Sequence, residues 1–211
     1  MTATAEITEL DFANWALSKG CKSAAIAAFS GGDLEEQVNA IYWTHTEALL
    51  ATALWRFNTN TIQLTRLSAT PVSKWDYKYA LPSDRITDPI AIFDDADAAF
   101  AHQDFEIFED ELHCDDETCF VHYQRRPSSP RRWTPVFRDF ALTSLAAELA
   151  LQIVEDRSRY ETFKIEAYGS LRPGGLGGKL LIAVQREALS APPVSALPDG
   201  GPLVRARQGG G

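Results

Sequence analysis

The chain has 211 residues, 45% hydrophobic and 23% charged, an ordinary globular composition long enough to bury a sizeable core in one domain. Its formal net charge of -9 argues against binding nucleic acid by phosphate neutralisation. No apolar run approaches the roughly 18 residues a membrane helix needs, and Met1-Thr-Ala-Thr-Ala-Glu6 lacks a signal peptide's basic start and apolar centre. A soluble protein made in a cytoplasm is expected.

From about Glu6 to Lys19, residues Ile7, Leu10, Phe12, Trp15, Ala16 and Leu17 form a short helical pattern stopped by Gly20. A small-residue passage then leads to Ser30-Gly-Gly-Asp33, where Asp33 reads as an N-cap with Glu36 as its capping-box partner. Val38, Ile41, Tyr42, Leu49, Ala53, Leu54 and Phe57 share one face of a helix running from Leu34 to about Phe57. Short strands follow, separated by Pro, Asp and Ser, at Thr61–Leu67, Lys74–Ala80, Pro89–Phe93, Asp104–Phe108 and Cys119–Tyr123. Phe93, Phe105 and Ile107 are expected to face the core.

Helical texture returns at Thr134-Pro135, Thr as cap and Pro at the first helical position. Val136, Phe137, Phe140, Leu145, Leu149, Ile153 and Val154 then form an apolar stripe, while Ala141, Ala146, Ala147 and Ala150 let another helix approach closely. A helical segment from about Arg159 to Leu171 is interrupted by Pro173-Gly-Gly-Leu-Gly-Gly178 and resumes over Lys179–Leu189. Beyond Ser190 the Pro-, Gly- and Ala-rich sequence reads as an extended arm. The expected fold is α+β. Helices of residues 1–60 and 134–189 form an antiparallel bundle, residues 61–124 a central antiparallel β lobe, and residues 190–211 an arm.

Several segments carry chemistry-bearing residue types. His113-Cys114 and Cys119–His122 hold zinc-ligand types, but the second ligand pair is missing, and a hairpin turning at Asp115–Thr118 with Cys114 and Cys119 as cross-strand neighbours accounts for the spacing. Pro173–Leu180 lacks the residues of a phosphate-binding loop, and Asp94-Asp-Ala-Asp97 lacks the glycine and distal Glu of a calcium loop. No Gly-x-Ser-x-Gly is present and the four histidines have no evident nucleophile partner, so no catalytic residue, metal or cofactor is assigned and no enzyme is expected.

Charge is segregated along the chain. From Ile86 to Gln124 there is no Lys or Arg, while Asp94, Asp95, Asp97, Glu109, Asp110 and Glu111 stand among many acids; Arg125, Arg126, Arg131 and Arg132 follow at once. One reading is a solvated acidic face beside a basic linker. The other makes the acids the rim or lining of a channel, where repulsion keeps DNA from sticking, and pairs the arginines with acids of a neighbouring subunit.

Taken in order, Leu49-Leu-Ala-Thr-Ala-Leu-Trp-Arg-Phe57, Ile62-Gln-Leu64, Trp75-Asp-Tyr-Lys-Tyr-Ala-Leu-Pro-Ser-Asp84, Val121-His-Tyr123, Pro135–Phe140 and Leu145–Ala150 resemble the tail tubular protein A family, the head-to-tail adaptor of short-tailed phages. The closing Leu203-Val-Arg-Ala-Arg207 resembles that family's arginine-bearing arm, and the likeness covers most of the chain from about residue 24 onward. Pro173–Gly178 departs from it by breaking a usually more continuous last helix, and the middle section is more acidic than in the family.

The resemblance implies a structural virion protein in the tail, assembled in the host cytoplasm. It would form a ring, typically a dodecamer, between portal protein and tail nozzle protein, leaving a channel through which DNA passes without specific binding. Arg125, Arg126, Arg131, Arg132, Leu203, Arg205 and Arg207 are then the candidates for subunit or portal contacts. Three other readings stay open: a connector of a long-tailed phage or phage-derived particle, an acidic DNA-mimicking inhibitor, and a small zinc-dependent enzyme.

Overall fold

A computed structural model describes residues 7–95, 101, 103–126, 129–170 and 177–190. Among these lie five α-helices and two antiparallel sheets, an α+β fold. The helices are α1 (Glu9–Cys21), α2 (Asp33–Leu50), α3 (Pro135–Gln152), α4 (Arg157–Tyr168) and α5 (Gly178–Ser190). The strands are β1 (Thr59–Gln63), β2 (Thr65–Arg66), β3 (Tyr77–Ala80), β4 (Ala91–Phe93), β5 (Glu106–Phe108), β6 (Glu111–Cys114) and β7 (Phe120–Gln124). The arm beyond Ser190, with Leu203, Arg205 and Arg207, lies outside the described residues, as do Asp97 and most of the Pro173–Gly178 segment.

The helix α3 is the hub. Thr134 caps it by accepting a hydrogen bond from the Phe137 amide, and Pro135 occupies its first turn, as expected. Phe137, Phe140, Leu145 and Leu149 of its apolar stripe are buried with its small residues, whereas Val136 and Ile153 are half-buried and Val154, beyond the helix, is exposed; α1, α2, α4 and α5 all pack on it. Phe12, Ala13, Ala16 and Leu17 of α1 and Val38, Tyr42 and Leu49 of α2 complete this first core.

Several helix boundaries differ from expectation, among them the end of α4, which stops at Tyr168 before Gly169 rather than near Leu171. Gly20 does not stop α1, which runs on to Cys21 and closes at Lys22 in the left-handed region. A β-carbon on Gly20 would sit 2.3 Å from the Ala146 carbonyl oxygen, so the glycine permits backbone-to-backbone approach of α1 and α3. At the other end of α1, Thr8 and Asp11 form a reciprocal capping box.

Asp33 is not the cap of α2. Gly32 fills that position without a side-chain bond, and Asp33, Glu35 and Glu36 lie in the first turn, where their charge suits the helix dipole. Nor does α2 reach Phe57. The Leu49 carbonyl accepts from the Thr52 amide, the Thr52 hydroxyl and the Trp55 indole, which ends the helix at Leu50 and turns Trp55 into the core. A single 3-10 turn over Arg56–Asn58 then leads into β1.

The expected strands are present with shifted bounds, most of them shorter, and Thr61–Leu67 is two elements. Leu64 breaks it, and the chain passes from a three-stranded sheet ordered β1-β7-β4 to a four-stranded sheet ordered β2-β3-β6-β5. The two sheets share a second core of Leu64, Tyr79, Leu81, Ile92, Leu112, Cys114, Cys119, Val121 and Tyr123. Phe105 and Ile107 pack against it, whereas Phe93 is only half-buried. The strand β6 was not expected; it pairs with both β3 and β5. Cys114 is therefore opposite Tyr77, and the hairpin between Cys114 and Cys119 does not form, because β6 and β7 belong to different sheets.

Candidate functional site

The segment after β7 carries the arginine cluster and joins the sheets to the helices. Ile86 and Arg126 amides donate to the Gln124 and Asp84 carbonyls, and Arg125 donates to Asn58. The Gln124 side chain, itself buried, donates to the Ala53 carbonyl at 2.7 Å and accepts from Thr87, fastening β7 to the end of α2. The Arg126 guanidinium holds the Glu47 carboxylate of α2 at 2.8 and 2.5 Å. Arg131 and Arg132 lie exposed on a 3-10 turn capped by Ser129. Trp133 then drops into the first core, its ring 5.1 Å from Phe12 and 5.3 Å from Phe137.

Between α1, α2 and this segment is a concave pocket of about 270 Å³. Leu50, Pro130 and Trp133 give it an apolar lining, Trp43 forms a wall, and Glu9 and the Glu47–Arg126 pair supply its charge. Tyr42 also lines it; burial, and secondly the Glu9 carboxylate, push its phenol above the usual range. Trp43 is 49% exposed. Trp133 is only 3% exposed, yet its indole N–H has no hydrogen-bond partner among the described residues. No motif in the sequence marks this pocket. A signal was present: Trp43 falls outside the apolar stripe that carries its neighbour Tyr42.

The acidic span is less uniform in space than along the chain. Glu109 and Asp110 form the two-residue turn between β5 and β6, with Glu109 at φ 56. Pairing brings in cations from outside the basic-free window: Arg85 meets Asp110 at 2.6 Å, Lys78 meets Glu111 at 2.9 Å and Lys74 meets Glu106 at 3.0 Å. The Lys78 hydrogen bond, with one from His113, holds the Glu111 carboxyl below its usual range. Asp94 and Asp95 are exposed just after β4.

The cysteines and histidines are placed structurally. The side chains of Cys114 and Cys119 interact, which holds the Cys114 thiol down and, with burial, pushes that of Cys119 up; Cys119 Sγ donates to the Phe120 carbonyl. His113 bonds Ser73 at 2.8 Å, and His122 bonds Thr61 at 2.9 Å. Among the described residues no three His, Cys, Asp or Glu side chains converge as metal ligands.

One histidine does meet a hydroxyl, contrary to expectation. His45 Nε2 lies 2.9 Å from Ser144 Oγ, which is 2.7 Å from the Tyr168 hydroxyl. Ser144 is fully buried in the middle of α3. The chain of bonds links α2, α3 and α4 and presents no nucleophile to a substrate. Compared with known family models and with curated proteins, the chain matches none.

Proposed function

We propose that this chain is the ring-forming head-to-tail adaptor that its sequence resembles, a structural protein joining portal to tail nozzle and leaving a channel for DNA. The observation that carries the proposal is that the segments bearing the resemblance contact one another. Trp55 and Phe57 of the first lie against Phe137 of Pro135–Phe140 at 4.6 and 5.0 Å between ring centroids. Ile62 pairs with Val121, and the Tyr123 hydroxyl donates to Asp84 at 3.0 Å. The first pair of contacts ties the end of α2 to α3 and the second ties β1, β7 and the Asp84 loop together, and this grouping of the family-like segments supports the reading.

The β-sheet ion pairs count against the DNA-mimicking inhibitor, since three acids that would imitate phosphates are matched by Lys or Arg. Electron microscopy of the purified protein, alone and with its portal, tests the proposal. Rings or portal-bound collars are expected. A monomer or dimer in both samples that competes with DNA for a protein partner would replace the adaptor by the inhibitor.

A further inference from the structure

We propose that the pocket between α1, α2 and Trp133 receives the segment Leu203-Val204-Arg205 of a second copy of this chain. The inference rests on the ring reading and names the contact that would close the ring. Three features of the pocket define its occupant. Its lining is apolar and about 270 Å³ in volume, room for one or two aliphatic side chains. Trp43 and Trp133 line it, aromatic surfaces against which the side chains of an extended peptide pack. Glu9 and Glu47 stand beside it, and among the described residues Arg126 is the one cation paired with them, so a further cation is favoured there.

The chain itself contains a segment of this chemistry. Leu203 and Val204 are aliphatic neighbours followed directly by Arg205, within the 191–211 stretch that follows α5. Twelve residues separate Ser190 from Leu203, a reach of about 40 Å when extended, enough to cross to an adjacent copy. The pocket of one copy taking the segment of the next is a heterologous contact, the kind that generates a closed ring.

Charge reversal in the full-length chain tests this, read by mass photometry of self-association at fixed salt. Glu9→Lys and Arg205→Glu each alone should weaken association by about tenfold. An equimolar mixture of the two variant chains should return it to within about twofold of wild type, because each copy then finds a complementary neighbour. Circular dichroism confirms that both variants are folded.

Three results would overturn the inference while leaving a wild-type ring intact: no loss in either variant, loss without rescue, or rescue in the Glu9→Lys/Arg205→Glu double variant but not in the mixture. The last would place the segment on its own chain. A wild-type protein that forms no ring with or without portal would instead sink the ring reading itself.

Discussion

Gly20 reverses the usual sign of a glycine substitution. Inside an exposed helix, Gly→Ala gains about 1 kcal/mol of helix propensity. Here the new methyl would lie 2.3 Å from the Ala146 carbonyl oxygen, which is backbone and cannot swing away. Gly20→Ala should therefore destabilise the fold, by roughly 1–3 kcal/mol as α1 is pushed off α3, measurable as a lowered midpoint in urea.

His45 makes a second residue-scale prediction. Burial lowers it to about 4, with Glu148 opposing and Lys164 adding to the shift. Its unfolded value is about 6.5, so between these values the unfolded chain binds the extra proton. The sign follows: the native state holds its full stability above about pH 6.5 and loses it progressively as pH falls toward 4, by an amount on the order of 3 kcal/mol. Thermal melts from pH 7 to pH 4 should show this loss, and His45→Gln should flatten that portion of the profile.

At the scale of elements, the Gln124 side chain is the bond most worth removing. Gln124→Leu deletes the donor to Ala53 and leaves that carbonyl and the Thr87 hydroxyl seeking partners, a cost of roughly 1–3 kcal/mol. Hydrogen exchange over residues 50–58 should accelerate more than exchange within α3.

How far the elements could be read from sequence follows from where their determinants lie. The start of α3 was legible because Thr134-Pro135 is a local signal. The end of α2 was not, since the apolar period continues through Leu54 and Phe57 while three donors converge on one carbonyl, a tertiary event. The strand β6 escaped because Leu112, His113 and Cys114 are buried in succession, with no alternation to detect. Gly20 reads in the sequence as a helix stop, whereas its role is to be small. The pocket was the least legible feature. Its walls come from three separated segments, and only the out-of-phase Trp43 pointed to it.

At the scale of the whole molecule, a linear charge map overstates the acidity of the β region, because antiparallel pairing sets Lys74, Lys78 and Arg85 beside the acids. The arginine cluster divides too. Arg126 closes onto Glu47, whereas Arg131 and Arg132 are exposed on their turn. If those two pair with acids of a neighbouring subunit, Arg131→Glu/Arg132→Glu should abolish ring assembly in electron micrographs of protein that circular dichroism shows to be folded. An unaffected ring would refute that pairing.

The three thiols are distributed between the two cores. Cys21 is buried with the helices, Cys114 and Cys119 between the sheets, and all three are free. Each reacts with a thiol reagent only when its surroundings open. The protein therefore carries its own clocks, one for each core. If helices and sheets separate as one cooperative unit, all three sulfurs will be modified at the same rate under mild denaturation. If Gln124 and the aromatic contacts at Phe137 are a fuse between two bodies, the clocks will run at different speeds, and Gln124→Leu will widen the difference.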